Sequence, residues 1–297
     1  MDLNHPLIQS AALPLLVAFC TAGLLRRLIG VRHGRRWAAA ALGLAVLVCS
    51  LLLLGWRMAL PATAVEKLPW VFAAAWLTGL LLEATRPARW LQWALASLLW
   101  LGLSWWLGSK DVISGAASAL IGAAVLAALH DSATERASAA SMALIASLGL
   151  AAVAMMSGSL LLFQLSVLLA AALGGVALWL WPKARIAFGP AAWVTAGIGW
   201  LSLAHMAALL TPAPPTALTA LAAVFIAGPI VRRLPLMGRR VVVEPLVVAL
   251  AAALLAGVAM GWTASIEARD APDAGDDPYY TSQAGRAEAL LLLPRTA

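Results

Sequence analysis

Charge is scarce in this chain of 297 residues: Asp, Glu, Lys and Arg make up 11% of it, against 63% hydrophobic residues. So little polar surface cannot coat a water-soluble globule of this length, so the composition excludes a soluble fold and places the chain in a bilayer. Histidine is scarce too, with four residues, and only His205 lies well inside an apolar run. A bis-histidine haem needs paired ligands at facing depths, and a membrane metalloprotease needs a His-Glu-x-x-His cluster; neither pattern is present. No glycine-rich nucleotide loop occurs, and no serine combines with His205 and an oxyanion arrangement. The sequence therefore implies no catalytic residue, no cofactor and no metal site.

The two cysteines, Cys20 and Cys49, both sit in apolar runs. Their expected depths differ by about 10 Å at the rise of a helix, too far for a disulfide, so both are expected to be small packing residues.

Ten apolar segments of membrane length or nearly so are present: 6–25, 37–56, 68–82, 90–107, 112–129, 139–156, 159–181, 191–210, 217–231 and 241–262. Spanning takes about 20 residues, so the third and ninth are short and must borrow flanking residues. The expected fold is all-α: a polytopic transmembrane helical bundle of about ten spans over residues 1–262, followed by a polar tail over 263–297. The tightest junction is Ser157-Gly158, which must turn the chain almost without a loop. If 139–181 were fused or re-entrant, the count would be nine.

Arginine clusters set the direction. Arg26, Arg27, Arg32, Arg35 and Arg36 fall between the first two segments, a stretch that reads as a cytoplasmic loop because juxtamembrane Lys and Arg stay inside. Alternation from there places Arg86, Arg89, Arg136, Lys183, Arg185, Arg232, Arg233, Arg239 and Arg240 on the same side. Outside fall only Arg57, Lys67, Lys110, Arg269, Arg286 and Arg295. Both termini are then extracytoplasmic. The first segment lacks the basic n-region of a signal peptide, with its positive charge after the run, and reads as a retained anchor of a multi-pass protein in a bacterial-type inner membrane. Because the net charge of +7 sits in clusters at segment ends, the pattern is that of topology determinants in contact with membrane lipids, not of a nucleic-acid surface.

Beyond Trp262 the composition turns acidic. Asp276-Asp277 beside Tyr279-Tyr280 is a candidate docking patch on an otherwise disordered tail, since tyrosine combines large area with a polar tip.

Polar groups at membrane depth are functional candidates by default. His205 and Gln164 each lie about five residues from the outer end of their segments, roughly 8 Å deep, so neighbouring helices would bring them face to face or onto a shared cavity. Glu244, just before Pro245, suits either a helix first turn or a ligand site. Glu83 with Arg86 reads as a solvated interfacial i,i+3 pair. His130 and Asp131 could join a metal site only with a second cluster, and none is visible. The small-residue ladder Ser114, Ser118 and Gly122, with the glycines of later segments, marks segments five to eight as the close-packed core. The Trp-rich third and fourth segments present broad apolar faces. Two functions follow: a non-catalytic accessory or assembly subunit contacting other membrane subunits, or a small-molecule or lipid transporter. A solid core favours the first and a continuous polar cavity the second.

Overall fold

The computed structural model describes residues 8–55, 61, 63–108, 111–133, 137–233 and 243–270. Helix is the only regular secondary structure among them. The helices are α1 (Leu13–Leu28), α2 (Val31–Trp37), α3 (Ala41–Leu54), α4 (Leu68–Thr85), α5 (Arg89–Leu107), α6 (Val112–Ser132), α7 (Ser138–Met156), α8 (Leu160–Leu180), α9 (Pro190–Leu210), α10 (Pro215–Ala223), α11 (Ala227–Arg233) and α12 (Val243–Asp270). Single 3-10 turns join α2 to α3 and α10 to α11.

Eight helical stretches among the described residues are long and apolar enough to cross a membrane. The third segment reaches its length as expected, by adding a 3-10 turn to run over Val65–Thr85. The fourth, α5, is long enough but carries Trp90, Trp93, Trp100, Trp105 and Trp106, which lower its hydropathy. The ninth stays short: α10, the 3-10 turn Val224–Ile226 and α11 make one apolar helical run, Pro215–Val231, which tightens where Pro229 crowds the carbonyl of Phe225 four residues back. By length and composition this is a multi-pass helical membrane protein.

The arginine-rich stretch 26–36 is not the open loop its charge suggests. Helix α1 runs through Arg26 and Arg27, and α2 carries Arg35 and Arg36, so only Ile29 and Gly30 break the helix. Gly30 turns the chain at φ +83°, a left-handed conformation that favours glycine. Gly34 lets α2 lie on the backbone of α1: a Cβ there would come within 2.7 Å of the Arg26 Cα. Arginine is a good helix former, so clustered arginine is no obstacle to continuing both helices.

Ser157-Gly158 does turn the chain. Gly158 has φ +75°, the Ser159 hydroxyl accepts the Leu162 N–H at 3.4 Å, and α7 and α8 are separate helices packed along their lengths.

Helix α9 is the centre. Of its apolar stretch 72% is buried, against 22% for α6, so the fifth segment does not belong to the close-packed core expected of it. The reason is that its small residues serve one narrow face only: Gly122 lies under the Trp100 indole of α5, while Val112, Ile113 and Leu120 point outward. The two Trp-rich segments divide likewise. Trp76 of α4 is held inward, donating Nε1–H to the Ala40 carbonyl at 3.0 Å over Gly43, whereas α5 exposes Trp90 and Trp105. Cys20 is exposed, Cys49 is buried, and both are free.

Helix α12 continues past Trp262 to Asp270, so helix extends beyond the apolar run. Asp276, Asp277, Tyr279 and Tyr280 lie outside the described residues, as do Arg239 and Arg240; Arg232 and Arg233 form the end of α11.

Candidate functional site

Two polar nodes occupy opposite ends of α9. At its C-terminal end the His205 ring is held by two other helices. Its Nε2 lies 2.7 Å from the carbonyl oxygen of Gly108, at the end of α5, and its Nδ1 lies 3.1 Å from the Ser118 hydroxyl on α6. A carbonyl only accepts, so Nε2 carries the hydrogen and Nδ1 accepts from Ser118 in the neutral ring. Trp100 completes the node: its Nε1–H donates to the Ser118 carbonyl at 3.1 Å, and its ring meets the imidazole edge-on at 6.0 Å. Gly122 makes room for that indole, because any side chain there would overlap it.

His205 makes no direct hydrogen bond to Gln164, since both ring nitrogens are already taken by Gly108 and Ser118. Gln164 is half-buried on α8. Depth alone brought the two residues together in the sequence reading, and depth does not say which helices are neighbours. The Ser114–Ser118–Gly122 ladder was the available signal: a small-residue face on one helix lets a neighbouring helix pack closely on it.

At the N-terminal end of α9 stands Glu83. It is 7% exposed and turned inward, and so is not the solvated interfacial residue its spacing to Arg86 implies. Its carboxylate accepts the Ala191 backbone N–H, in the first turn of α9, where the positive end of the helix dipole favours an anion. Arg36 and Arg86 lie within electrostatic reach. Gly189 is needed here, because a Cβ would collide with the carboxylate. The Arg35 carbonyl accepts the Ala187 N–H at 2.8 Å, tying the 181–189 connection to α2. Nearby, the His130 ring of α6 sits against Trp193 of α9 at 5.0 Å.

These contacts sort the connections into two ends. The turn at 29–30, the Glu83–Arg86 corner, the end of α6 and the 181–189 connection meet at one end, rich in arginine. Gly108 meets the C-terminal part of α9 at the other, where Lys67 donates to the Trp106 carbonyl at 2.7 Å. Glu244 occupies the first turn of α12, as its sequence position indicates, and is 1% exposed.

Between the nodes α9 is packed with apolar side chains. Thr195 and Ser202 return their hydroxyls to the carbonyls of Ala191 and Gly199, at 2.8 Å in both cases. Trp193 and Trp200 are both 1% exposed, and Trp200 meets Phe225 edge-on at 5.0 Å. Chemically, this arrangement holds helices in place. The nodes are separated by packed side chains, and in the first the Ser118 hydroxyl sits against His205 Nδ1 while the other ring nitrogen is held by the Gly108 carbonyl, not by a carboxylate.

No family model matches the chain, and no curated protein matches it.

Proposed function

We propose that this protein is a non-catalytic accessory or assembly subunit of a membrane complex. It crosses a bacterial-type inner membrane ten times with both termini outside, counting α5 and the short α10–α11 segment as spans. The observation that carries this reading is the core around α9. Its large side chains are interlocked, its hydroxyls are returned to its own backbone, and His205 spends both nitrogens on fixing α5 and α6. A transporter of the alternating-access kind places a polar cavity at the membrane midplane, whereas here the ionisable side chains His205 and Glu83 lie at the two ends of α9. The exposed tryptophans of α5 supply a broad apolar face for another subunit, with aromatic side chains of the type enriched at interfaces.

The test is purification of the full chain at native abundance in a mild detergent, with identification of co-purifying chains. A stoichiometric membrane partner, lost when Trp93 and Trp105 are replaced by leucine, supports the proposal. A chain that purifies alone and carries solute across proteoliposomes overturns it.

A further inference from the structure

A cleft of about 610 Å³ opens on the outside of the bundle, between the last turns of α1 and the end of α8. Phe19, Cys20, Gly23 and Leu24 of α1 and Trp179 of α8 form its apolar walls, and Arg26 and Arg27 line its end. The aromatic wall is fixed in advance. Trp179 donates its Nε1–H to the Phe19 carbonyl at 3.0 Å and stacks on the Phe19 ring at 5.2 Å. Gly23 admits the indole, since a Cβ there would stand 2.9 Å from Trp179 Cζ2. The Arg26 guanidinium sits 5.8 Å from the same ring, a cation–π contact that orients it at the edge of the cleft.

Neither Arg26 nor Arg27 belongs to an ion pair among the described residues. The last turn of a helix suits cations, but its carbonyl dipoles do not neutralise two guanidinium groups, which remain available to an outside anion. An apolar trench on the outside of α1 and α8, closed where the helix ends by two cations that have no ion pair among the described residues, matches a molecule with an apolar chain and a phosphate. The volume is that of a small-molecule site, not of a docked helix.

We propose that this cleft binds one anionic phospholipid, with its phosphate on Arg26 and Arg27 and an acyl chain along Phe19, Leu24 and Trp179. The proposal stands apart from the subunit reading, because it holds whether or not the protein has partners.

Cys20 gives a built-in probe: it is exposed within the cleft while Cys49 is buried. The experiment follows the rate at which N-ethylmaleimide alkylates Cys20 in the full-length protein, in neutral detergent at constant pH. Phosphatidylglycerol, phosphatidylcholine or inorganic phosphate is added in turn. Phosphatidylglycerol should protect the thiol at concentrations about tenfold or more below those at which phosphatidylcholine does, and inorganic phosphate should not protect it. R26Q/R27Q should lose that preference and R26K/R27K should keep it. Equal protection by both lipids, or protection by phosphate alone, overturns the proposal. So does protection by phosphatidylglycerol that persists in R26Q/R27Q, or a lysine variant that behaves like the glutamine one.

Discussion

His205 shows how one polar side chain inside a membrane can be consumed by architecture. Its two nitrogens reach two different elements, Gly108 at the end of α5 and Ser118 on α6, so the ring latches both to the central helix. Hydrogen bonds between membrane helices average about 0.6 kcal/mol and rarely exceed about 1.7, so removing this one should loosen the structure without unfolding it. A double-mutant cycle of His205→Ala and Ser118→Ala, read by denaturant unfolding, should give a coupling energy of about 0.6 kcal/mol. A coupling near zero would mean that the pair does not meet. Gly122 should be far less tolerant. Gly122→Leu drives a side chain into the Trp100 indole and should cost about 1–3 kcal/mol, because an overpacked site can relieve the clash only by moving a helix. The same change at Gly102, which has open space around its Cα, should be close to neutral and serves as the control.

At the scale of elements, the start of α6 has its own electrostatics. Asp111 caps it: its carboxylate accepts the Ser114 N–H at 2.6 Å, while the Asp111 N–H donates to the Ser114 hydroxyl at 3.2 Å. Hydrogen bonding of that carboxylate to Ser114, by the backbone N–H first and the side chain second, holds the Asp111 carboxyl below the usual carboxylate range. A depressed acid stabilises the folded form through its ionised state. The contribution is complete above the unfolded value of about 3.9 and disappears as pH falls through the lower folded value. Amide exchange at the start of α6, normalised to intrinsic rates, should therefore rise on acidification below pH ~4 in the native chain. It should stay level in Asp111→Asn, whose amide caps the helix without titrating. A native chain as flat as the variant would remove the capping role.

The elements themselves were largely legible. Hydropathy located every apolar segment, and Ser157-Gly158 marked a turn between two helices that the backbone makes with Gly158 at φ +75°. What escaped the sequence depended on tertiary neighbours. Clustered arginine looked like loop at 26–36 because charge is usually solvated, yet Gly34 permits two helices to cross there almost without one. Glu83 looked interfacial because its sequence neighbour is Arg86. Its actual partner is the first turn of α9, more than a hundred residues away. The interior of α6 was overestimated because a ladder of small residues packs one face and says nothing of the others.

For the molecule as a whole, the arginine-rich end organises everything else. Arg26, Arg27, Arg35, Arg36 and Arg86 gather there, and Lys183 and Arg185 lie in the connection that docks on α2. If that end faces the cytoplasm, the remaining segments thread from it in alternation, and the anionic leaflet lies beside the Arg26–Arg27 cleft. The direct measurement is labelling of single cysteines by a membrane-impermeant maleimide in intact cells, in a background with Cys20 and Cys49 replaced by serine. Lys183 and Thr63 are exposed sites in connections assigned to opposite sides of the bilayer. Thr63→Cys should label in intact cells, and Lys183→Cys only after permeabilisation. The reverse pattern would place the guanidinium groups outside and contradict the topology on which this account rests.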